Sequence, residues 1–255
     1  MNYLNKFKLD NKISLVTGGA GGIGIEICKS LLDAGSKVII ADINNKKSKK
    51  LLKKIKNKNI EYYKLDSTSE KNIKSLSRFI LKKYKRLDVL VNCIGICFNK
   101  EAEKVKKKEW DKVINININS MFYVCKEFGK IFIKQKKGTI VNIGSNSGLI
   151  VDKPQPQASY NSSKAAVHQL TKSLACEWSK YNIRVNAIAP GYVATEMTLL
   201  GRKKPHWFKY WIEMTPMKRL AEPSEIASVA LFLASESSSY CTGSIISVDG
   251  GYTSW

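Results

Sequence analysis

Histidine is almost missing from this chain: two of its 255 residues, His168 and His206. Cysteine is little help as a metal ligand either. Six thiols stand at 28, 93, 97, 125, 176 and 241. Only Cys93 and Cys97 are close in sequence, with no CxxC spacing and no histidine nearby, so a zinc site is not expected. Small buried thiols in a reducing compartment fit better. No apolar run approaches the roughly 20 residues that span a bilayer. The polar start, Met1 to Lys6, lacks the apolar core of a signal peptide. The expectation is a cytoplasmic protein that does not engage a membrane.

Acidic residues are also scarce, 21 against 43 basic ones, for a formal charge of +22. Such a charge raises the question of nucleic acid. The answer lies in a second shortage: only five of the 43 are arginine. The lysines gather at 46–58 and 100–112, without the arginines or interleaved aromatics that read bases. With the abundant Asn and Ile, they read as the drift of an A+T-rich coding sequence, and no nucleic-acid partner is expected.

What is present is regular alternation. Short β-branched runs at Ile13–Thr17, Lys37–Ala41, Ile60–Leu65, Val89–Val91, Thr139–Ile143, Arg184–Ile188 and Ile245–Val248 read as strands. Helical periods fall between them, at Ile23–Ala34, Lys46–Lys56, Glu70–Tyr84, Trp110–Lys134 and Ser159–Lys180, and again at Glu222–Ser235. This pattern predicts an α/β fold, a doubly wound parallel sheet of about seven strands with helices on both faces. Ligands of such sheets sit at the carboxyl ends of the strands. No repeat or long linker divides the chain, so one domain over 1–255 is expected.

Two motifs carry chemistry. The first is Thr17-Gly18-Gly19-Ala20-Gly21-Gly22-Ile23-Gly24, between the first strand and the first helix. Glycines there let the backbone approach a pyrophosphate, and the helix N-terminus offers it free N–H groups. Asp42, at the end of the second strand, can accept hydrogen bonds from a ribose diol and would repel a 2′-phosphate, which favours NAD over NADP. Lys46 and Lys47 stand near enough to oppose that preference. Asp66-Ser67 follows the third strand, where an adenine would lie. Asn92-Cys93-Ile94-Gly95 follows the fourth; Gly95 allows close approach, while Asn92 either touches the ligand or braces the strand. The second motif is Tyr160-Asn161-Ser162-Ser163-Lys164, a phenol and an ammonium on one helix face. A nearby cation lowers a phenol's pKa, which would make Tyr160 a general base for an alcohol proton.

Together these pieces resemble the short-chain dehydrogenase/reductase family, from about Leu9 to Trp255, with the motifs in order. The resemblance implies a Rossmann-type fold, a nicotinamide cofactor and the catalytic set Asn117, Ser145, Tyr160 and Lys164. Asn117 is taken over Asn115 and Asn119 by its spacing from Trp110. Ser145 is taken over Ser147 by its spacing from the strand and the glycine, although Ser147 restores the family's commoner interval to the tyrosine. In that reading Tyr160 removes the hydroxyl proton, Lys164 lowers the phenol's pKa and holds the nicotinamide ribose, and Ser145 positions the substrate oxygen. Asn117 anchors a relay water. Pro190, Gly191, Tyr192, Val193 and Thr195 hold the carboxamide. His168 is expected in packing or a subunit contact, and 197–217, rich in aromatics, as a substrate lid.

Within the family the segments Ala165–Leu170, Ala189–Thr198 and Val248–Trp255 are most similar to polyol dehydrogenases of the galactitol and threitol type. The implied substrate is a polyol or ketose, with Ser145, Asn146, Ser147, Gln155, Tyr160 and Tyr192 around it. The resemblance also implies a homotetramer and allows a divalent cation near the C-terminus. The enzymatic alternative is a 3-oxoacyl-carrier-protein reductase using NADPH, its basic surface docking an acidic carrier. A non-catalytic NAD-sensing or nucleic-acid-binding protein is the alternative from another class.

Overall fold

The computed structural model describes residues 2–255. Seven strands form one sheet: β1 (Ile13–Thr17), β2 (Lys37–Asp42), β3 (Ile60–Lys64), β4 (Val89–Asn92), β5 (Gly138–Ile143), β6 (Ile183–Pro190) and β7 (Ile245–Val248). Their order is β3-β2-β1-β4-β5-β6-β7, and neighbouring strands are parallel throughout. The winding reverses between β1 and β4, which opens a crevice above their carboxyl ends.

The helices are α1 (Gly22–Asp33), α2 (Asn45–Ile55), α3 (Glu70–Tyr84), α4 (Lys107–Ile114) and α5 (Ser120–Gln135), then α6 (Ala158–Trp178), α7 (Glu196–Leu199), α8 (Pro205–Met214) and α9 (Pro223–Ala234). None among the described residues is long and apolar enough to cross a membrane. Strand side chains alternate between two cores, as period-2 geometry requires. Leu15, Ile39 and Leu90 point to the side where Ile73 of α3, Phe128 of α5 and Val167 of α6 pack. Val16, Ile40 and Val91 point to the other, against Ile27 of α1, Leu51 of α2 and Ile226 of α9. Both faces are covered, so the central strands are apolar almost without interruption. Phe128 and Phe132 are wholly buried; truncating such a ring to alanine costs about 3–5 kcal/mol.

The sequence predicts one helix over Trp110–Lys134. The structure breaks this run: α4 ends at Ile114, a π-helical turn spans Asn115–Asn119, and α5 begins at Ser120. The wider turn lies in Asn-Ile-Asn-Ile-Asn, a stretch of weak helix formers, and Asn117 sits inside it, fully buried. The 197–217 segment is likewise composite: α7, a 3-10 turn at Leu200–Lys203, and α8 with Pro205 at its first turn. The side chains of Met197, Leu200 and Arg202 within it lie outside the described residues.

Candidate active site

The glycine turn is built as a cradle. Gly18 has φ +67°, a left-handed conformation, and a Cβ there would stand 2.6 Å from the Cys93 carbonyl oxygen. At Gly24 a Cβ would stand 2.4 Å from the Gly18 oxygen, so the turn and α1 touch backbone to backbone. No side chain caps α1 at Gly21. Its first N–H groups are therefore free for an anion. Asp42 is tied to this turn: one carboxylate oxygen accepts from the Ala20 N–H at 3.1 Å, the other from the Asn44 N–H at 2.8 Å. Both oxygens keep lone pairs for ribose hydroxyls. Lys47 reaches away to Glu196, 2.8 Å from its carboxylate. Asp66 is engaged by the Thr68 N–H and hydroxyl at 2.9 and 2.6 Å, while Ser67 beside it is buried.

Asn92, placed with the cofactor residues on its sequence position, braces the sheet instead. Its amide donates to the Asn142 oxygen at 2.9 Å and its oxygen accepts from the Thr17 hydroxyl at 3.1 Å. Asn142 in turn donates to Thr171 at 3.0 Å. A buried chain of this kind leaves the Asn92 side chain nothing to offer a ligand, and losing one member costs about 1–3 kcal/mol.

The catalytic candidates converge above β4 and β5. Asn117 brackets Ile96: its oxygen accepts from the Ile96 N–H and its amide donates to the Ile96 oxygen, both at 2.9 Å. The same amide donates to Ser163 at 3.0 Å. Lys164 donates to the Ile143 carbonyl at 2.8 Å, and its ammonium lies 5.7 Å from the Tyr160 ring centre. A Cβ on Gly95 would meet that ammonium at 3.4 Å and the Asn117 oxygen at 3.7 Å.

One expectation is corrected here. In the free chain the Tyr160 phenol is pushed up from its ordinary value, chiefly by burial and then by Cys97; the Ser145 hydrogen bond opposes this. Lys164 is itself pushed down to about 8, by burial first. In the ligand-free chain burial, rather than the nearby ammonium, sets the direction of the phenol's shift.

The segment after β5 forms a polar chain. Ser145, 6% exposed, donates to the Asn146 oxygen at 3.1 Å and to the Ser147 hydroxyl at 3.0 Å. Ser147 donates to Asp152 in a short hydrogen bond. Asp152 also accepts from Asn146 at 3.0 Å and Gln157 at 3.2 Å. Its carboxyl is raised, mainly by burial. Sequence reasoning passed over Asp152 and Gln157, since nothing local says that Asp152-Lys153-Pro154 folds inward. Ser145 and Ser147, alternatives by spacing, belong to one network.

Gln155 lines the cleft, yet its amide is taken up by Tyr192 and by Trp211 of α8. It donates to the Tyr192 hydroxyl at 2.8 Å and accepts from the Trp211 indole N–H at 2.8 Å. Tyr192 and Trp211 stack with centres 4.4 Å apart. The C-terminal Trp255 donates its indole N–H to the Met214 carbonyl at 2.7 Å, fixing the end of α8. His168 is a wedge: 5% exposed, it lies against both Gly144 and Gly148, and burial lowers its pKa to about 4.

These parts enclose a cleft of about 520 Å³. Gly22 and Ile23 line one end; Ser145, Tyr160 and Asp152 line the other; Gly95, Pro190, Gly191, Val193 and Thr195 lie along it. Among the described residues no group of three or more His, Cys, Asp and Glu side chains could hold a metal ion.

A family model described as enoyl-(acyl carrier protein) reductase matches residues 18–253. A galactitol 2-dehydrogenase (L-tagatose-forming) of Cereibacter sphaeroides is 42% identical over the whole of both chains. The crystal structure of gox2181 superposes with a TM-score of 0.98 at 43% identity, again over all of both chains. A gluconate 5-dehydrogenase from Burkholderia cenocepacia, in complex with NADP and tartrate, superposes with a TM-score of 0.94 at 27% identity, over 100% of each.

Proposed function

The chain belongs to the short-chain dehydrogenase/reductase family, and we propose that it is an NAD-dependent polyol dehydrogenase, interconverting a secondary alcohol of a sugar alcohol or diol with the ketone. The observation that carries this reading is the continuous cleft. It joins a glycine cradle fit for a dinucleotide to a Ser145–Tyr160–Lys164 centre walled by Asn146, Ser147, Asp152 and Gln157. Buried hydrogen-bonding groups in that number suit a substrate rich in hydroxyls and disfavour an acyl chain. The galactitol 2-dehydrogenase relative supports the same substrate class.

The residues divide the work as follows. Gly18, Gly22, Ile23 and Gly24 would cradle the pyrophosphate, and Asp42 the adenosine ribose. Asp66 and Ser67 would lie by the adenine, with Gly95, Pro190, Gly191, Val193 and Thr195 along the nicotinamide half. The oxidised nicotinamide, when bound, would supply the hydride acceptor. Tyr160 takes the hydroxyl proton, and Ser145 holds the substrate oxygen in line with it. Lys164, anchored on Ile143, would hold the nicotinamide ribose; Asn117 keeps the Ile96 backbone fixed at the edge of this centre. The segment 197–217 closes over the substrate through Trp211. A single-domain, cytoplasmic homotetramer is part of the proposal; the exposed Trp110 of α4 and Phe122 of α5 offer apolar surface for a subunit contact.

Asp42 supports NAD over NADP, while the NADP of the gluconate 5-dehydrogenase neighbour makes the choice worth measuring. The test is reduction of both cofactors over a panel of four- to six-carbon polyols and diols. Turnover with NAD, abolished by Tyr160→Phe while cofactor binding persists, supports the reading. Silence across the panel, with activity on NADPH and an acetoacetyl thioester, would replace it by the acyl reading.

A further inference from the structure

Asp152 is the unexplained group in the cleft. It is 4% exposed yet lines the substrate end. A carboxylate offers about four acceptor positions. Three are used: Ser147 and Gln157 on one oxygen, Asn146 on the other. Every one of these partners is neutral, and no lysine or arginine pairs with it among the described residues. Lys204, at the mouth of the cleft, is held over the Trp207 ring at 3.6 Å. The next acid, Asp249, adds to the negative field. That field reaches Cys97, Tyr160, Tyr192 and Tyr252, each of which Asp152 pushes up. A buried charge without a counter-ion is costly. It is tolerated where a ligand hydroxyl completes its hydrogen bonds.

We propose that Asp152 is a specificity-determining residue: its free acceptor position takes a substrate hydroxyl, and its charge bars polyhydroxy acids from the cleft. This rests on the polyol reading and sharpens it to uncharged polyols. A substrate carboxylate would meet Asp152 at low dielectric, where like charges repel far more strongly than in water. A neutral polyol would instead donate to it. The carboxylate also sets the direction of the chain behind Ser145. Since it can only accept, Ser147 must donate to it, and the Ser147 oxygen is left to accept from Ser145.

The test compares galactitol with galactonate, and D-arabinitol with arabinonate, in the wild type and in Asp152→Asn. In the wild type the neutral member of each pair should exceed its acid in kcat/KM by about tenfold or more. In Asp152→Asn the polyol KM should rise with kcat less affected, and the neutral-to-acid ratio should fall by about tenfold or more. Asp152→Ser, which removes charge and bulk, should shift the ratio the same way. Thermal melting and NADH binding by fluorescence establish that each variant is folded. A fall of both substrates by one common factor would make Asp152 merely structural and overturn the proposal. If both variants fail to fold, competitive inhibition of the wild type decides: galactonate must bind about tenfold or more weakly than galactitol, and equal binding overturns the proposal. A wild type that oxidises no polyol at all fails in a different place, and refutes the polyol reading itself.

Discussion

Replacing Gly144 with alanine should cripple this protein through a clash with His168, which does not line the cleft. A Cβ there would stand 2.3 Å from His168 Nε2, 2.7 Å from its Cδ2 and 3.1 Å from the Ile188 carbonyl. Ordinary contact begins at 3.4 Å, so about 1 Å must be found. The imidazole cannot retreat, because Gly148 closes on its far side: a Cβ on Gly148 would itself meet His168 Cε1 at 2.7 Å. Nor can the Gly144 backbone yield freely, since its N–H is bound to the Ile188 oxygen at 2.8 Å. The displacement must pass either to Ser145, the next residue, or to α6, which carries Tyr160 and Lys164. Overpacking of this kind costs about 1–3 kcal/mol, and each kcal/mol lowers Tm by roughly 2–4 °C in a domain of this size. Misplacing Ser145 against Tyr160 by about 1 Å costs about 100-fold in kcat/KM. The assay is NAD-linked oxidation of the best polyol beside a thermal melt, for Gly144→Ala, His168→Ala and the pair. Removing the ring should relieve the clash, so the double variant should recover more than about 1 kcal/mol against additivity. Activity within twofold of wild type at unchanged Tm would refute the wedge. So would strict additivity in the double variant.

Three further outcomes follow from the same structure. The His168 imidazole is held at about 4, against 6.5 when unfolded, by burial and then by the Lys164 charge. The unfolded chain therefore binds a proton that the native one refuses. The stabilisation is complete above pH 6.5 and is lost as pH falls toward 4. Each pH unit is worth about 1.4 kcal/mol, so the loss is about 2 kcal/mol once solvent screening of a ring not wholly enclosed is allowed for. His168→Gln should flatten the fall in Tm over that range, and an unchanged profile would sink the assignment. Trp211→Phe keeps the stack on Tyr192 but removes the hydrogen bond to Gln155; KM for polyol should rise by about tenfold, and unaltered kinetics would mean that this contact does not hold the lid. Lysines 56, 85 and 136 end α2, α3 and α5 in the left-handed conformation, where a side chain costs roughly 1–2 kcal/mol over glycine. Lys85→Gly should therefore raise Tm, and a fall would show that the lysine makes a compensating contact.

Much of this protein was written locally in the chain. Strand–helix alternation sufficed for the sheet, because a parallel sheet covered on both faces needs apolar strands and leaves little freedom in winding. The glycine turn and Asp42 were legible for the same reason: each demand on the backbone there, close approach at Gly24 or a left-handed φ at Gly18, can be met by only one residue type. Tyr160 and Lys164 were legible because helical spacing alone puts them on one face. The tertiary structure decided what depends on partners distant in sequence. Only folding shows that Asn92 faces Asn142 and Thr17 within the sheet rather than the cofactor, or that Gln155 is taken up by Tyr192 and Trp211. Only folding buries Asp152 without a counter-charge and sets His168 between two glycines. The pKa shifts belong to this second class. Residue spacing placed a cation near the phenol, but burial sets the sign, and burial is a property of everything packed around a group, which no local pattern in the chain records.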